Sequence, residues 1–533
     1  MAQDKNVFEQ SSAGTVAHDE APPGMGGGDT RGFFGHPRGL STLFFTEMWE
    51  RFSYYGLRPL LVLFMSAALL DGGFGFDRGQ ASAIVGIYAA CVYLASLPGG
   101  WVADRLLGLR RAILYGAVLI SLGHICIGLS SFAHRKLPFF LGLILIVLGT
   151  GLLKPNISAI VGDLYPEGGA RRDAGFSIFY MGINMGAFFG QLVTGFLGET
   201  IGWHWGFGAA GVGMLIGFTV FATRAKSTLG TLGLAPARDP DSVKQAKQER
   251  NIKLVLGIGL AILAIVVFMT ATGALQIDPQ AVGQDMAYVL VGIAVVYFLY
   301  LFFAGGLTTP EKKRIGVIAV LFVFAIIFWS AFEQAPTALN LFARDFTDRQ
   351  LGGFEIPATW FQSINSLFII ICAPAFAALW VGLAKRRGDL SSPAKFALGL
   401  FLAGLGFVVM IFAANIVYES GGTVKVSPWW LVASYFFQTL GELSLSPVGL
   451  SSMTKLSPRK YVGQMMGVWF LASSIGNLVG GLAGENVDPE KLEQMPKLFT
   501  TTTMSLMIAA VVLLALVVPI RNMIRQSPTN AST

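Results

Sequence analysis

The chain has 533 residues, 53% of them hydrophobic and only 13% charged, with a formal net charge of +7. This balance excludes an ordinary soluble globular protein, and apolar runs of about 20 residues, long enough to cross a bilayer's hydrocarbon core, recur along nearly the whole sequence. The basic surplus needs no nucleic-acid partner, because membrane proteins gather Lys and Arg beside the cytoplasmic headgroups.

Residues 1–40 are rich in Gly, Ala and polar residues, lack the basic-then-apolar pattern of a secretory signal, and read as a disordered cytoplasmic tail. Fourteen apolar segments follow, near 41–66, 79–103, 110–130, 137–162, 173–198, 205–222, 252–274, 283–305, 315–342, 357–384, 394–416, 428–454, 461–484 and 498–520. The two at 252–305 have the most polar flanks. The expected organisation is therefore an all-α membrane protein with a six-helix bundle over 41–222, a linker with two inserted helices over 223–314, a second six-helix bundle over 315–520 and a tail over 521–533. With the amino terminus inside, the loops, tails and adjoining helix ends on its side carry 27 Lys and Arg, the opposite loops 8, and the interiors of the spans 3. That bias predicts cytoplasmic termini.

The first span contains EMWERFSYYG, residues 47–56. On a helix, Glu47, Glu50, Arg51, Tyr54, Tyr55 and Arg58 fall within an arc of about 140°. Charges at this depth cost about 2.5–3.5 kcal/mol each on insertion scales, so the stripe faces the bundle interior and either welds it as an ion cluster or lines a proton or substrate path. The three cysteines lack the spacing of a disulfide framework or zinc site. There is no H-E-x-x-H motif and no phosphate-binding P-loop, so nothing indicates a metal, an organic cofactor or an enzyme.

The loop GGWVADRLLGLRR (Gly99 to Arg111) resembles the signature loop of the major facilitator superfamily, and AKRRGDLSSP (Ala384 to Pro393) resembles an eroded counterpart in the second half. A repeated half suits a transporter with a midplane site. More specifically, E-x-x-E-R-F-x-Y-Y in the first span and FYMGINMGAF (Phe179 to Phe188) resemble the two signatures of the proton-dependent oligopeptide transporter family. GTGLLKPNIS, FWSAFEQ, FQSIN and GELSLSPVGLS, starting at Gly149, Phe328, Phe361 and Gly441, are similar to further family segments. The short connection before Pro428, where animal relatives carry a large extracellular domain, gives the chain a bacterial look and implies an inner-membrane location.

At about 1.5 Å per residue, Arg58 and Glu333 lie roughly 25 and 27 Å from the cytoplasmic starts of their helices, while Lys154 and Glu442 descend roughly 25 and 21 Å from the outside. Each level thus holds one opposite-sign pair joining the halves, a layout of two gates; the alternative for Lys154 is to snorkel to headgroups. The resemblance implies that Glu47, Glu50, Arg51 and Glu333 couple protons, that Arg58 and Glu333 form an outer gate, and that Lys154 and Glu442 form an inner one. It also implies that Arg51 and Lys154 hold a peptide carboxylate, that Glu442, Asn184 and Asn365 hold its amino terminus, and that Tyr54, Tyr55, Tyr93, Trp329, Trp469 and Ser473 line the pocket. Read without the motif, Trp329 and Trp469 are interface anchors or packing residues.

Animal relatives use a histidine in the second span, but residues 79–103 contain none, which leaves the proton to carboxylates. The resulting expectation is a symporter of protons and di- or tripeptides in a lipid bilayer. Symport of another small anion or zwitterion, and a peptide receptor without transport, are the alternatives.

Overall fold

The computed structural model describes residues 32–133, 136–236, 242–387 and 390–525. Most of the amino-terminal tail, the last eight residues and part of the basic stretch 384–393 therefore lie outside the described residues.

Six helices form the first bundle: α1 (Arg38–Ser66), α2 (Arg78–Val102), α3 (Leu109–Ala133), α4 (Lys136–Asp163), α5 (Gly169–Phe196) and α6 (Trp203–Leu229). The inserted pair, α7 (Ser242–Ala271) and α8 (Pro279–Phe303), follows. The second bundle contains α9 (Thr309–Phe332), a short α10 (Asn340–Phe346), α11 (Trp360–Arg387), α12 (Ser392–Glu419), α13 (Trp429–Leu456), α14 (Val462–Leu482) and α15 (Gln494–Arg525).

Of the fourteen long helices, twelve are both long and apolar enough to cross a membrane. The other two, α1 and α13, have the length, at 29 and 28 residues, but are diluted by polar side chains. Those side chains include Glu47, Glu50, Arg51 and Arg58 on α1, and Glu442 on α13. Most residues of α1, these charges included, are buried in the bundle, whereas Glu442 on α13 is half-buried.

Helix starts follow local chemistry. Asp77 Oδ1 accepts from Gly79 N at 2.7 Å before α2, and Asp278 Oδ1 accepts from Gln280 N at 3.0 Å before α8. Thr308 and Glu311 form a reciprocal capping box at the start of α9.

One expected span is interrupted. The segment 315–342 breaks at Glu333, which caps α9; a wide turn over Ala335–Leu339 containing Pro336 then leads into α10. Proline supplies no backbone N–H and so ends the regular ladder there. A small hairpin that hydropathy does not announce follows, pairing Gln350–Leu351 with Phe354–Glu355 through Gly352 and Gly353 at φ +55° and +88°.

Without a hydrophobic drive between helices in lipid, close packing depends on small residues. A Cβ on Gly186 would lie 2.1 Å from Met48 O, and one on Gly190 would lie 2.4 Å from Phe52 O, so α5 touches the backbone of α1 beside the charged stripe. Between the bundles, α2 meets α14, where a Cβ on Gly481 would lie 2.4 Å from Gly86 Cα. Helix α8 packs over this α2/α14 seam and is tied to the second bundle by Tyr297 Oη donating to Gln464 Oε1 at 2.5 Å.

The glycine seam gives a direct expectation. Gly481→Leu should force α2 and α14 apart at a cost of about 1–3 kcal/mol, typical of overpacking, and lower the melting temperature in detergent. Gly292→Leu on α8, where open space surrounds the added atoms, should leave it unchanged. Equal melting temperatures for both variants would remove the seam as a packing constraint.

Candidate functional site

The chain enters α1 on what we call the near face and leaves it on the far face. Helix α5 holds α1 in place and turns its polar stripe inward. Glu47, Glu50 and Arg51 are sealed, each no more than 2% exposed. Arg51 Nε lies 3.0 Å from Glu47 Oε1 and also contacts the Glu50 carboxylate. The Arg51 guanidinium stands 5.3 Å from the Tyr54 ring centroid, which adds a cation–π contact. One cation thus serves two carboxylates, leaving the cluster with a net negative charge when all three are ionised.

One helical turn towards the far face beyond Tyr54 and Tyr55, Arg58 reaches the other bundle. Its Nη2 donates to Glu333 Oε2 at 2.5 Å and to Asn477 Oδ1 at 2.6 Å. Both members of the ion pair are buried. Further contacts between the bundles gather at this end. Arg78 Nη1 donates to Asp345 Oδ2 at 2.5 Å and to Val487 O at 2.9 Å. Asn340 Nδ2 donates to Pro59 O at 2.8 Å. Glu199, beyond α5, accepts from the backbone N–H groups of Ala358 and Thr359 at 2.8 and 3.0 Å, just ahead of α11.

Towards the near face the arrangement differs. Lys154 and Glu442, expected as a pair, are not brought together: no ion pair within 4.0 Å links them among the described residues. Lys154 Nζ sits 4.1 Å from the Tyr93 ring centroid, and Glu442 Oε2 accepts from Asn365 Nδ2 at 3.2 Å. The physical reason is the far-face closure, which ties the bundles together there and leaves α4 and α13 apart. Lys154, Glu442, Tyr55, Tyr93 and Asn365 are all half-exposed, unlike the sealed α1 cluster. Partly exposed charged side chains on central helices are candidates for a functional path.

The remaining expected residues, Asn184, Tyr54, Trp329, Trp469 and Ser473, are all buried. Asn184 on α5 is buried, and its amide nitrogen donates to Tyr180 O at 3.0 Å, which orients the carbonyl oxygen as the acceptor left to offer. Trp329 and Trp469 meet edge to face with centroids 6.4 Å apart. Ser473, one turn after Trp469, accepts through its backbone carbonyl from Asn477 Nδ2 at 2.8 Å, so a single face of α14 links these aromatics to the Arg58 pair. Buried polar atoms without a hydrogen-bond partner among the described residues include Arg51 Nη2, Tyr54 Oη, Tyr88 Oη and Trp329 Nε1. Such groups are costly unless a partner reaches them.

Sequence reasoning missed Asn477, Arg78, Asp345, Glu199 and Tyr88. Only Asn477 had a visible signal, an amide in an otherwise apolar span. Another buried polar contact, His124 Nε2 with Ser53 Oγ at 2.5 Å, ties α3 to the back of α1. No group of three or more metal-ligating side chains occurs among the described residues.

A family model described as the POT family matches residues 110–227 and 307–497. The chain is 49% identical over 497 residues to the peptide transporter YePEPT of Yersinia enterocolitica subsp. palearctica serotype O:3 (strain YE-P4), covering 93% of this chain and 97% of that protein. It is 40% identical over 463 residues to a di-/tripeptide transporter of Lactococcus lactis subsp. cremoris, covering 84% of this chain and 89% of the relative. A solved structure of a peptide transporter POT in complex with sulfate superposes with a TM-score of 0.83 at 40% identity, covering 93% of this chain and 97% of that one. A POT family transporter in complex with 5-aminolevulinic acid gives a TM-score of 0.83 at 34% identity, with 92% and 98% covered. With a family model over more than half of its residues and a relative 49% identical across 93% of it, the chain belongs to the POT family and has its major facilitator fold.

Proposed function

We infer that this protein is a proton-coupled symporter that imports di- and tripeptides by alternating access, with no enzymatic activity, from a bacterial inner membrane in which both termini are cytoplasmic. The carrying observation is the asymmetry of the charge pairs: Arg58 and Glu333 are joined at 2.5 Å on the far face, while Lys154 and Glu442 stand apart and half-exposed. This is the pattern of an inward-open state. The bundles at 41–222 and 315–520 are its moving bodies, with 223–314 as the inserted linker.

A peptide at neutral pH carries a carboxylate and an ammonium at opposite ends. The first bundle supplies Arg51 and Lys154, and the second supplies Glu442 and Asn365, with Asn184 as a further acceptor. A ligand gripped by both draws the bundles together, so that recognition drives closure. If Arg51 turns to the substrate carboxylate, Glu47 and Glu50 lose their shared cation, and an unpaired buried carboxylate takes up a proton. That exchange couples the two cargoes. The solved relative holding 5-aminolevulinic acid, a molecule with the same two charged ends, favours a second reading in which other small zwitterions are also carried.

Three outcomes are expected in proteoliposomes. Glu50→Gln, which mimics a permanently protonated acid, should abolish accumulation driven by a pH gradient while retaining counterflow of labelled peptide. Accumulation at the wild-type rate would take Glu50 out of the coupling path.

For the far-face pair, Arg58→Glu or Glu333→Arg alone should raise labelling of cysteines placed around the far mouth. The double reversal should recover more transport than either single change, with a coupling of about 0.5–3 kcal/mol. Simple additivity would show that the two residues act separately.

Dialanine should compete for uptake far better than free alanine. Amidating the dialanine carboxylate should weaken competition by roughly 30-fold to several-thousand-fold, the cost of about 2–5 kcal/mol for a truncated charge contact. In Lys154→Ala the amide should cause little further loss. Equal inhibition by dialanine and its amide in the wild type would move the assignment to another solute.

A further inference from the structure

Outside the transport path, the start of α1 and the end of α6 enclose a cleft of about 430 Å³ on the near face. Phe33, Arg38, Ser41, Phe45, Arg224 and Ser227 line it. Arg224 also closes the lower end of a second groove, of about 300 Å³, that runs up the outer side of α6 past Val220, Ile216 and Val212. These three and Arg224 are spaced four residues apart and so form one oblique row that winds about 120° around α6. Their 12-residue span covers about 18 Å, more than the roughly 15 Å hydrocarbon depth of one leaflet. The combined shape is a polar cup at membrane-interface level joined to an apolar channel of acyl-chain length.

Charge and hydrogen-bond capacity narrow the occupant. Neither Arg38 nor Arg224 has an ion pair or a side-chain hydrogen bond among the described residues, and no carboxylate lines the cup. Ser41 Oγ donates to Arg38 O at 2.8 Å and Ser227 Oγ donates to Arg224 O at 3.0 Å, so both hydroxyl oxygens are left to act as acceptors. Two guanidinium groups beside two acceptors match a phosphate that carries a hydroxylated headgroup. The adjoining Phe34 is 69% exposed and held at φ +51°, a left-handed conformation that costs a bulky residue strain, which places a bare aromatic at the rim. Aromatics favour that interfacial level.

We propose that this cup and groove form a binding site for one anionic diacyl phospholipid of the near-face leaflet, with its phosphate between Arg38 and Arg224 and an acyl chain along α6. Its occupant bridges the first turn of α1 to the last turns of α6, and so steadies the base of the helix that carries the charged stripe. The site is separate from the peptide path and does not depend on what is transported.

The test is native mass spectrometry of the full-length protein in detergent, titrated with phosphatidylglycerol or phosphatidylethanolamine. Wild type should retain one phosphatidylglycerol at concentrations where phosphatidylethanolamine is released. The double variant Arg38→Gln, Arg224→Gln should bind it about 25-fold more weakly, near fivefold for each interfacial charge, whereas Lys226→Gln, on another side of α6, should match the wild type. Ile216→Trp, which fills the groove and keeps both charges, should also weaken lipid binding, and this second variant reports independently of the charge removal. Undiminished phosphatidylglycerol binding by the double variant would overturn the proposal, as would equal retention of both lipids by the wild type. Displacement of the lipid by glycerol phosphate at equal concentration would also overturn it, by showing a site for free anions.

Discussion

A charge inside a membrane protein has no bulk water to fall back on, and this constraint organises the molecule around Arg51. Stripping a carboxylate or guanidinium of solvent costs several kcal/mol even after relaxation, and only another charge at short range offsets it. Glu47, Glu50 and Arg51 satisfy one another within a single helical turn, so α1 can be buried between α5, α6 and the second bundle although it is too polar to count as an ordinary span. Glycines on α5 make that burial geometrically possible by letting backbone meet backbone. The cluster tolerates its own excess carboxylate only while the guanidinium stays, which makes Arg51 a point of control as well as of stability.

The same reasoning separates the two ends of the molecule. On the far face, Arg58, Arg78, Asn340 and Glu199 each make a polar contact that crosses from one bundle to the other. On the near face, Lys154 turns to an aromatic ring and Glu442 to an amide, partners within their own bundles. A lysine over a tyrosine face keeps part of its electrostatic stabilisation while partly exposed, so the near-face residues have acceptable alternatives when apart. Contacts across the bundles at one end and within them at the other form an asymmetry that suits a two-state element.

Much of this was legible in the sequence, for identifiable reasons. Helix boundaries from hydropathy agree with the structure to within a few residues for most spans, because a bilayer imposes one length on every crossing. The inward stripe of α1 followed from helical spacing alone. Motif and depth together brought Arg58 and Glu333 to one level, although they are 275 positions apart. What escaped was information that exists only in three dimensions. Asn477 meets Arg58 across 419 positions, and Asp345 stands on a short helix that starts at the end of what hydropathy reads as one long span and runs past it. The separation of Lys154 from Glu442 was equally illegible, because depth along two helices says nothing of the lateral distance between them.

The break at Glu333 has a further consequence. This residue ends α9, so its carboxylate stands where the last carbonyls of the helix present their partial negative charge, and Asn477 adds another oxygen. Three sources of negative potential converge on one guanidinium. Were the bundles to separate at this end, Arg58 would withdraw with the first bundle and the second would be left holding an uncompensated anionic socket on the far face. Such a socket would draw a proton or an ammonium from the medium, so that opening of the far face would itself be an act of cation capture.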